Sequence, residues 1–166
     1  MISIRPARRA EIQRVRQIER LSATRFLGTD LASLADDEPA DAETLERRIA
    51  EGGLLVAEES AEAVAFVMFR EVEGCAYVEQ IDVLPSHAGR AIGAALLQAV
   101  AAIARRRGLA ALTLSTFREV PFNAPYYRRL GFVEVAVLSP AMQDIRREHE
   151  ARGLDETARV FMRREV

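Results

Sequence analysis

"LPSHAGRAIGAALL", residues 84–97, passes from an apolar residue and a proline, through a short stretch with two glycines, into a helical apolar pattern. If Gly89 and Gly93 flank the point where a strand gives way to a helix, the backbone can turn tightly there. A ligand can then come close, because no Cβ stands in the way. The first helical turn has N–H groups without intrahelical partners, and the helix dipole adds partial positive charge. A pyrophosphate fits such a place, and Arg90 can add a charge-assisted contact. Downstream, Ile92, Leu96, Val100 and Ile103 recur at helical spacing and pin the helix to a sheet, while Arg105 to Arg107 suit its negative end and Gly108 stops it.

The flanking segments alternate between strand and helix patterns. "CAYVEQIDVL" (75–84) reads as the strand that enters the loop, ended by Pro85. Before it, "LLVAEE" (54–59) and "AVAFVMFREVEG" (63–74) read as a hairpin with a polar turn around Ser60 to Glu62. The chain opens with a strand, "ISIR" (2–5), and a helix from about Ala7 to Ser22 that buries Ile12, Val15 and Ile18. Thr24 to Asp41 is irregular; Asp41 then caps the helix "AETLERRIAEG" (42–52), which Gly52 and Gly53 stop. After the central helix come a strand "LAALTLST" (109–116), a short helix "PFNAPYYRRL" (121–130), a strand "GFVEVAVL" (131–138), a polar helix "AMQDIRREHEARG" (141–153) and a last strand "TARVFMRR" (157–164). The order β, α, α, β, β, β, α, β, α, β, α, β predicts an α/β fold, a mixed sheet with helices on both faces.

Composition narrows the functions. At 166 residues, 49% hydrophobic and 29% charged, the chain suits one domain with a sizeable core. A net charge of -2 gives no basic field to draw it to nucleic acid or an anionic membrane. Cys75, the only cysteine, excludes an intrachain disulfide and a zinc site built on several thiolates, and suits a reducing, cytoplasmic compartment. "MISIRPARRAEI" (1–12) turns charged after four residues, so neither a signal peptide nor, without a run of 18 apolar residues, a membrane span is expected.

A P-loop requires Gly-Lys-Ser/Thr at the helix start, and a dinucleotide fingerprint requires three glycines; neither is present. An ATP site would also lack its lysine and metal-holding hydroxyl. The quoted segment instead resembles the acetyl-coenzyme A loop of the GNAT superfamily (Gcn5-related N-acetyltransferases): Gln or Arg, two residues, Gly, one residue, Gly or Ala. Ala88 takes the Gln/Arg place, Ala91 the first Gly place and Gly93 the second, so two of the three positions depart. "YVEQIDVLP" (77–85) is similar to that family's central strand, and "NAPYYRRLGF" (123–132) to its tyrosine-bearing helix and following strand. The resemblance runs from Met1 through the chain and implies a single acetyltransferase domain, 1–166.

It further implies a mostly antiparallel sheet of about seven strands, splayed between its two central strands. The pantetheine arm would lie in the gap along Ile81, Asp82 and Val83, with the Val83 N–H stabilising the oxyanion. Ala88, Gly89, Arg90 and Ala91, with Ile92, Gly93 and Ala94 of the first helical turn, would hold the pyrophosphate. Tyr127 would protonate the departing thiolate. Glu79 is either the base for the attacking amine or an ordinary paired strand carboxylate, and Asn123 either contacts pantetheine or caps its helix. The implied activity moves acetyl from acetyl-CoA, a co-substrate, to a primary amine by direct attack, with no metal. A small-molecule acceptor is favoured over a protein because there is no accessory domain, and a homodimer is compatible with the family. The alternative is a catalytically silent acyl-CoA-binding module.

Other conspicuous residues have plainer readings. His87 is expected to be an exposed loop residue, His149 to lie on a solvated helix face, Tyr126 to pack in the core and Cys75 to be small and buried. Met68 and Phe69 read as core, Phe26 and Leu27 as acceptor-pocket candidates, and "ADDEP" (35–39) as surface.

Overall fold

The computed structural model describes residues 1–29 and 38–166; most of the acidic "ADDEP" stretch lies outside them. The expected elements occur in the expected order: β1 (Ser3–Pro6), α1 (Ile12–Ser22), α2 (Ala42–Ala50), β2 (Leu54–Glu59), β3 (Glu62–Val72), β4 (Cys75–Val83), α3 (Ile92–Arg106), β5 (Ala111–Phe117), α4 (Ala124–Arg129), β6 (Val133–Glu134), α5 (Pro140–Ala151) and β7 (Arg159–Glu165). They form a seven-stranded sheet in the order β1-β2-β3-β4-β5-β7-β6. The β4–β5 pair is parallel, whereas β1–β2, β2–β3, β5–β7 and β6–β7 are antiparallel. By its contacts the chain forms two compact units: Met1–Arg70 with Glu79–Ala99, and Glu71–Val78 with Val100–Val166. No helix among the described residues is long and apolar enough to cross a membrane.

In the first unit, Ser60 and Ala61 both have left-handed backbones (φ 52° and 66°), as a two-residue hairpin turn between β2 and β3 requires. The β2–β3 register shifts between Ala57 and Glu58, leaving Val64 as the extra residue of a bulge. The Val64 carbonyl then accepts the N–H of Leu84, the residue that opens the loop after β4. Ile12, Val15 and Ile18 of α1 are buried as their spacing predicts. Asp41 caps α2 by accepting the Thr44 N–H at 2.7 Å. Gly53 could carry no side chain, because its Cβ would stand 2.2 Å from the Phe69 carbonyl oxygen.

In the second unit, Glu73 and Gly74 (φ 50° and 73°) make the equivalent tight turn between β3 and β4. β5 pairs with β7 along its full length, from Ala111↔Glu165 to Phe117↔Arg159. β6 is shorter than the expected 131–138: it pairs only through Val133 and Glu134, with the Val135 N–H adding one bond to Phe161. The reason is packing. Val135 and Leu138 turn onto the buried cluster of Tyr77, Ile145 and Phe161 rather than following β7 outward.

α3 buries Ile92, Leu96, Leu97, Val100, Ala101 and Ala104, each leucine contributing about 1.5–3 kcal/mol. Ile103, expected on that face, is half-buried, because Ala104 and Ala101 occupy the centre of the stripe.

Candidate functional site

β4 and β5 pair only through Ala76↔Leu112, Tyr77↔Thr113 and Val78↔Leu114, although β4 continues to Val83 and β5 to Phe117. The end of β4 that does not pair with β5, Glu79–Val83, belongs to the first unit together with the loop and the start of α3. After Val83 the chain makes a single 3-10 turn, Pro85–His87, and Ala88 is extended. Gly89 (φ 77°) and Ala91 (φ 59°) are both left-handed. The Ala91 carbonyl accepts the first helical bond, from Ala95 at 3.1 Å, so the N–H groups of Ile92, Gly93 and Ala94 precede the ladder. Strand, turn and helix start thus leave these three N–H groups ahead of the helical hydrogen-bond ladder, where the positive end of the helix dipole lies.

Ala91 takes up a backbone conformation that costs an L-residue roughly 1–2 kcal/mol. Ala91→Gly is therefore expected to raise stability by up to about 1 kcal/mol, a rise of roughly 2–4 °C in Tm. Thermal denaturation checks this; an unchanged or lower Tm would mean that the loop relaxes the strain elsewhere.

Arg90 is engaged within the unit. Its two Nη atoms donate to both oxygens of Glu59, at 2.7 and 3.2 Å, and His87 Nε2 meets the same carboxylate at 2.8 Å. His87 is thus partly buried and paired rather than simply exposed. Arg90 and then His87 pull the Glu59 carboxyl from 4.5 down to about 2. Because the folded value is depressed, this pairing stabilises the fold fully above about pH 4.5 and is lost as pH falls toward 2. Glu59→Gln should flatten that acid dependence. Acid denaturation of the two proteins side by side checks this.

On β4, Glu79 accepts from Arg48 Nε at 2.5 Å and Arg48 Nη2 at 3.0 Å, and Arg70 Nε lies 3.4 Å away. The Glu79 hydrogen bond raises the Arg48 pKa above the ordinary guanidinium value. Asp82 is 3% exposed and accepts from Ser22 Oγ (3.0 Å), Arg25 Nη1 (2.9 Å) and Gln80 Nε2 (2.5 Å). Burial pushes the Asp82 carboxyl up, against the pull of Arg25. That side chain is therefore fully engaged within the first unit.

Asn123 and Tyr127 lie in the second unit. Gly131 (φ 94°) ends α4, with the Phe132 N–H bonded to the Tyr127 carbonyl and the Gly131 N–H to the Arg128 carbonyl, both at 3.0 Å. This is a Schellman end, and it explains the Tyr-x-x-x-Gly-Phe spacing: the tyrosine and the phenylalanine are the residues such an end brings together. Their rings meet edge-on at 5.7 Å. Tyr127 is 7% exposed, whereas Tyr126, expected in the core, is half-buried with the Arg129 guanidinium 5.8 Å from its ring. Asn123 does not cap α4 through its side chain; its Oδ1 is buried with no hydrogen-bond partner among the described residues.

The model of the acetyltransferase (GNAT) family matches residues 13–132, well over half of the chain. The protein belongs to that family. Solved structures share the fold at low identity. The PaiA N-acetyltransferase from Thermoplasma acidophilum, in complex with coenzyme A, is 15% identical, with a TM-score of 0.74 over 100% of this chain and 99% of that one. The ribosomal-protein-S18-alanine N-acetyltransferase from Escherichia coli is 17% identical (TM-score 0.68; 100% and 94% covered). The N-acetylglutamate synthase from Neisseria gonorrhoeae, complexed with coenzyme A and N-acetyl-glutamate, is 16% identical (TM-score 0.73), matching 99% of this chain but 35% of that one. At such identities the fold is what is shared.

Within this GNAT chain, several paired residues escaped the sequence reading. Arg48 follows buried Leu45 by three residues on α2, so its place on the apolar face was a usable signal that a buried carboxylate must face it. Glu59 carried no such signal, being one of two glutamates at a hairpin end. His149, expected on a solvated face, is 14% exposed and bonds buried Glu156 at 2.6 Å. Phe26 is buried and Leu27 exposed.

Proposed function

We propose that this acyltransferase moves the acetyl group of acetyl-CoA to a primary amine of a small molecule, by direct attack in a ternary complex, and that residues 1–166 act as one acetyltransferase domain. The observation that carries the reading is the pair of left-handed residues, Gly89 and Ala91, which leave the N–H groups of Ile92, Gly93 and Ala94 open at the start of α3. A pyrophosphate suits them. The buried, unpartnered Oδ1 of Asn123 fits an amide N–H of a pantetheine arm.

In the reaction proposed, the neutral amine attacks the thioester carbon, a C–N bond forms and the carbonyl electrons move to oxygen. The Val83 N–H stabilises that oxyanion. Collapse breaks the C–S bond, and Tyr127 gives its hydroxyl proton to the thiolate. Both Glu79 oxygens face arginine nitrogens, so the amine proton reaches this carboxylate through water on a remaining lone pair.

Calorimetric titration with acetyl-CoA, CoA and ATP tests the reading. Both CoA forms should bind and ATP should not, and thiol release with amines should follow. Binding without release from any amine would assign the catalytically silent role instead, and failure of both CoA forms to bind would remove the acetyl-CoA reading.

A further inference from the structure

In the second unit, a cavity of about 180 Å³ opens among the Arg118, β6, α5 and β7 segments. Its apolar side is Val135, Leu138 and Phe161, which belong to or pack on the buried cluster with Tyr77 and Ile145. Its charged lining consists of Arg118, Arg146 and Arg159 against Glu134 and Glu156, an excess of one cation.

Arg159 is held in place. Its Nε faces Ser115 Oγ at 3.3 Å and Glu156 Oε2 at 3.2 Å, its Nη2 donates to the Ser115 carbonyl at 3.1 Å, and its guanidinium lies 4.7 Å from the Phe117 ring centre. Burial, with a smaller contribution from nearby Arg152, lowers the Arg159 pKa despite Glu156 beside it, so one more anion would be welcome there. Arg118 is more loosely placed: it is 43% exposed and pairs with Glu134 at 2.9 Å. Arg146 pairs with exposed Glu150 at 3.1 Å and can turn inward at little cost.

We propose that this cavity binds a small carboxylate with a short apolar side group, the carboxylate on Arg159 and Arg118 and the side group against Phe161, Leu138 and Val135. The forked guanidinium geometry suits a carboxylate. The volume lies below the roughly 300–1,000 Å³ of drug-sized sites and matches a ligand the size of an amino acid. Glu134 stands beside Arg118 to receive an ammonium, should the ligand carry one. The same chemistry could be an amine acceptor or an effector that is not consumed.

Three probes separate these features: L-leucine, 4-methylpentanoate, which lacks its amine, and 3-methylbutylamine, which lacks its carboxylate. Each is titrated into the full chain while backbone amide NMR shifts are followed. Saturable shifts at Glu134, Val135 and Phe161 are expected with both carboxylates and not with the amine. Arg159→Gln should weaken the carboxylates at least about tenfold. Arg118→Gln, at the exposed rim, should weaken them less and keeps the test valid if the Arg159 variant fails to fold. Shifts equal for all three probes, none with the carboxylates, or no weakening in folded variants would overturn the proposal. With acetyl-CoA added, thiol release with leucine would make the bound carboxylate an acceptor's; binding without release would make it an effector's. Acetyl-CoA binding measured in the same samples keeps failure of this pocket distinct from failure of the acetyl-transfer reading.

Discussion

Tyr127→Phe is expected to lower the rate of thiol release about 100-fold, the lower end of what a positioned general acid contributes, with little change in acetyl-CoA affinity. The substitution is conservative in space. The ring sits edge-on to Phe132 at 5.7 Å and to Tyr126 at 5.4 Å, and phenylalanine preserves both contacts. Only the hydroxyl leaves, at a stability cost of about 1 kcal/mol if its hydrogen bond is lost. The leaving group supplies a sharper control than the rate alone. A thiolate from a more acidic thiol needs less help from an acid, so the deficit should shrink with an acetyl thioester of such a thiol. A rate unchanged by the substitution would make Tyr127 a packing residue that closes α4 against Phe132 and nothing more.

Glu79 and Arg48 give the largest expected loss of stability. The Arg48 side chain is 9% exposed, and Glu79 meets it through two hydrogen bonds. Glu79→Met leaves that cation without its main partner and should cost about 3–5 kcal/mol, a fall of roughly 6–20 °C in Tm. Arg48→Met combined with Glu79→Met should recover most of that stability, because apolar residues of similar volume replace a buried ion pair at little net cost. Turnover should not recover. If Glu79 relays the amine proton, the folded double variant remains down about 100-fold. A double variant that regains both stability and rate would show Glu79 to be only the counter-ion of Arg48.

The element order was legible because each signal is local. Period 3.6 in α1 and α3, the Asp41 cap, and glycines after the last turns of α2 and α3 act within a few residues of themselves. The loop at 84–97 was legible for the same reason, since a strand end, a proline and two glycines prescribe a tight turn whatever surrounds them. β6 is shorter than its local pattern because its end depends on a tertiary contact that no local pattern records: Val135 and Leu138 pack on the Tyr77–Phe161 cluster where further pairing along β7 would have continued the strand. His149 is paired rather than solvated because its partner, Glu156, lies beyond the end of its own helix, where helical spacing gives no sign of it.

The sequence by itself determined the α/β order, the family resemblance and where the left-handed loop before α3 and the Tyr127 turn fall, all of which rest on neighbours along the chain. Only the tertiary structure decided how the charged side chains are used. Glu59 lies 31 residues from Arg90, Arg48 31 from Glu79, and Arg25 57 from Asp82. Ion pairs over such separations depend on which strands and helices become neighbours and on how much water is excluded between them. A charged residue's type and spacing along the chain carry neither.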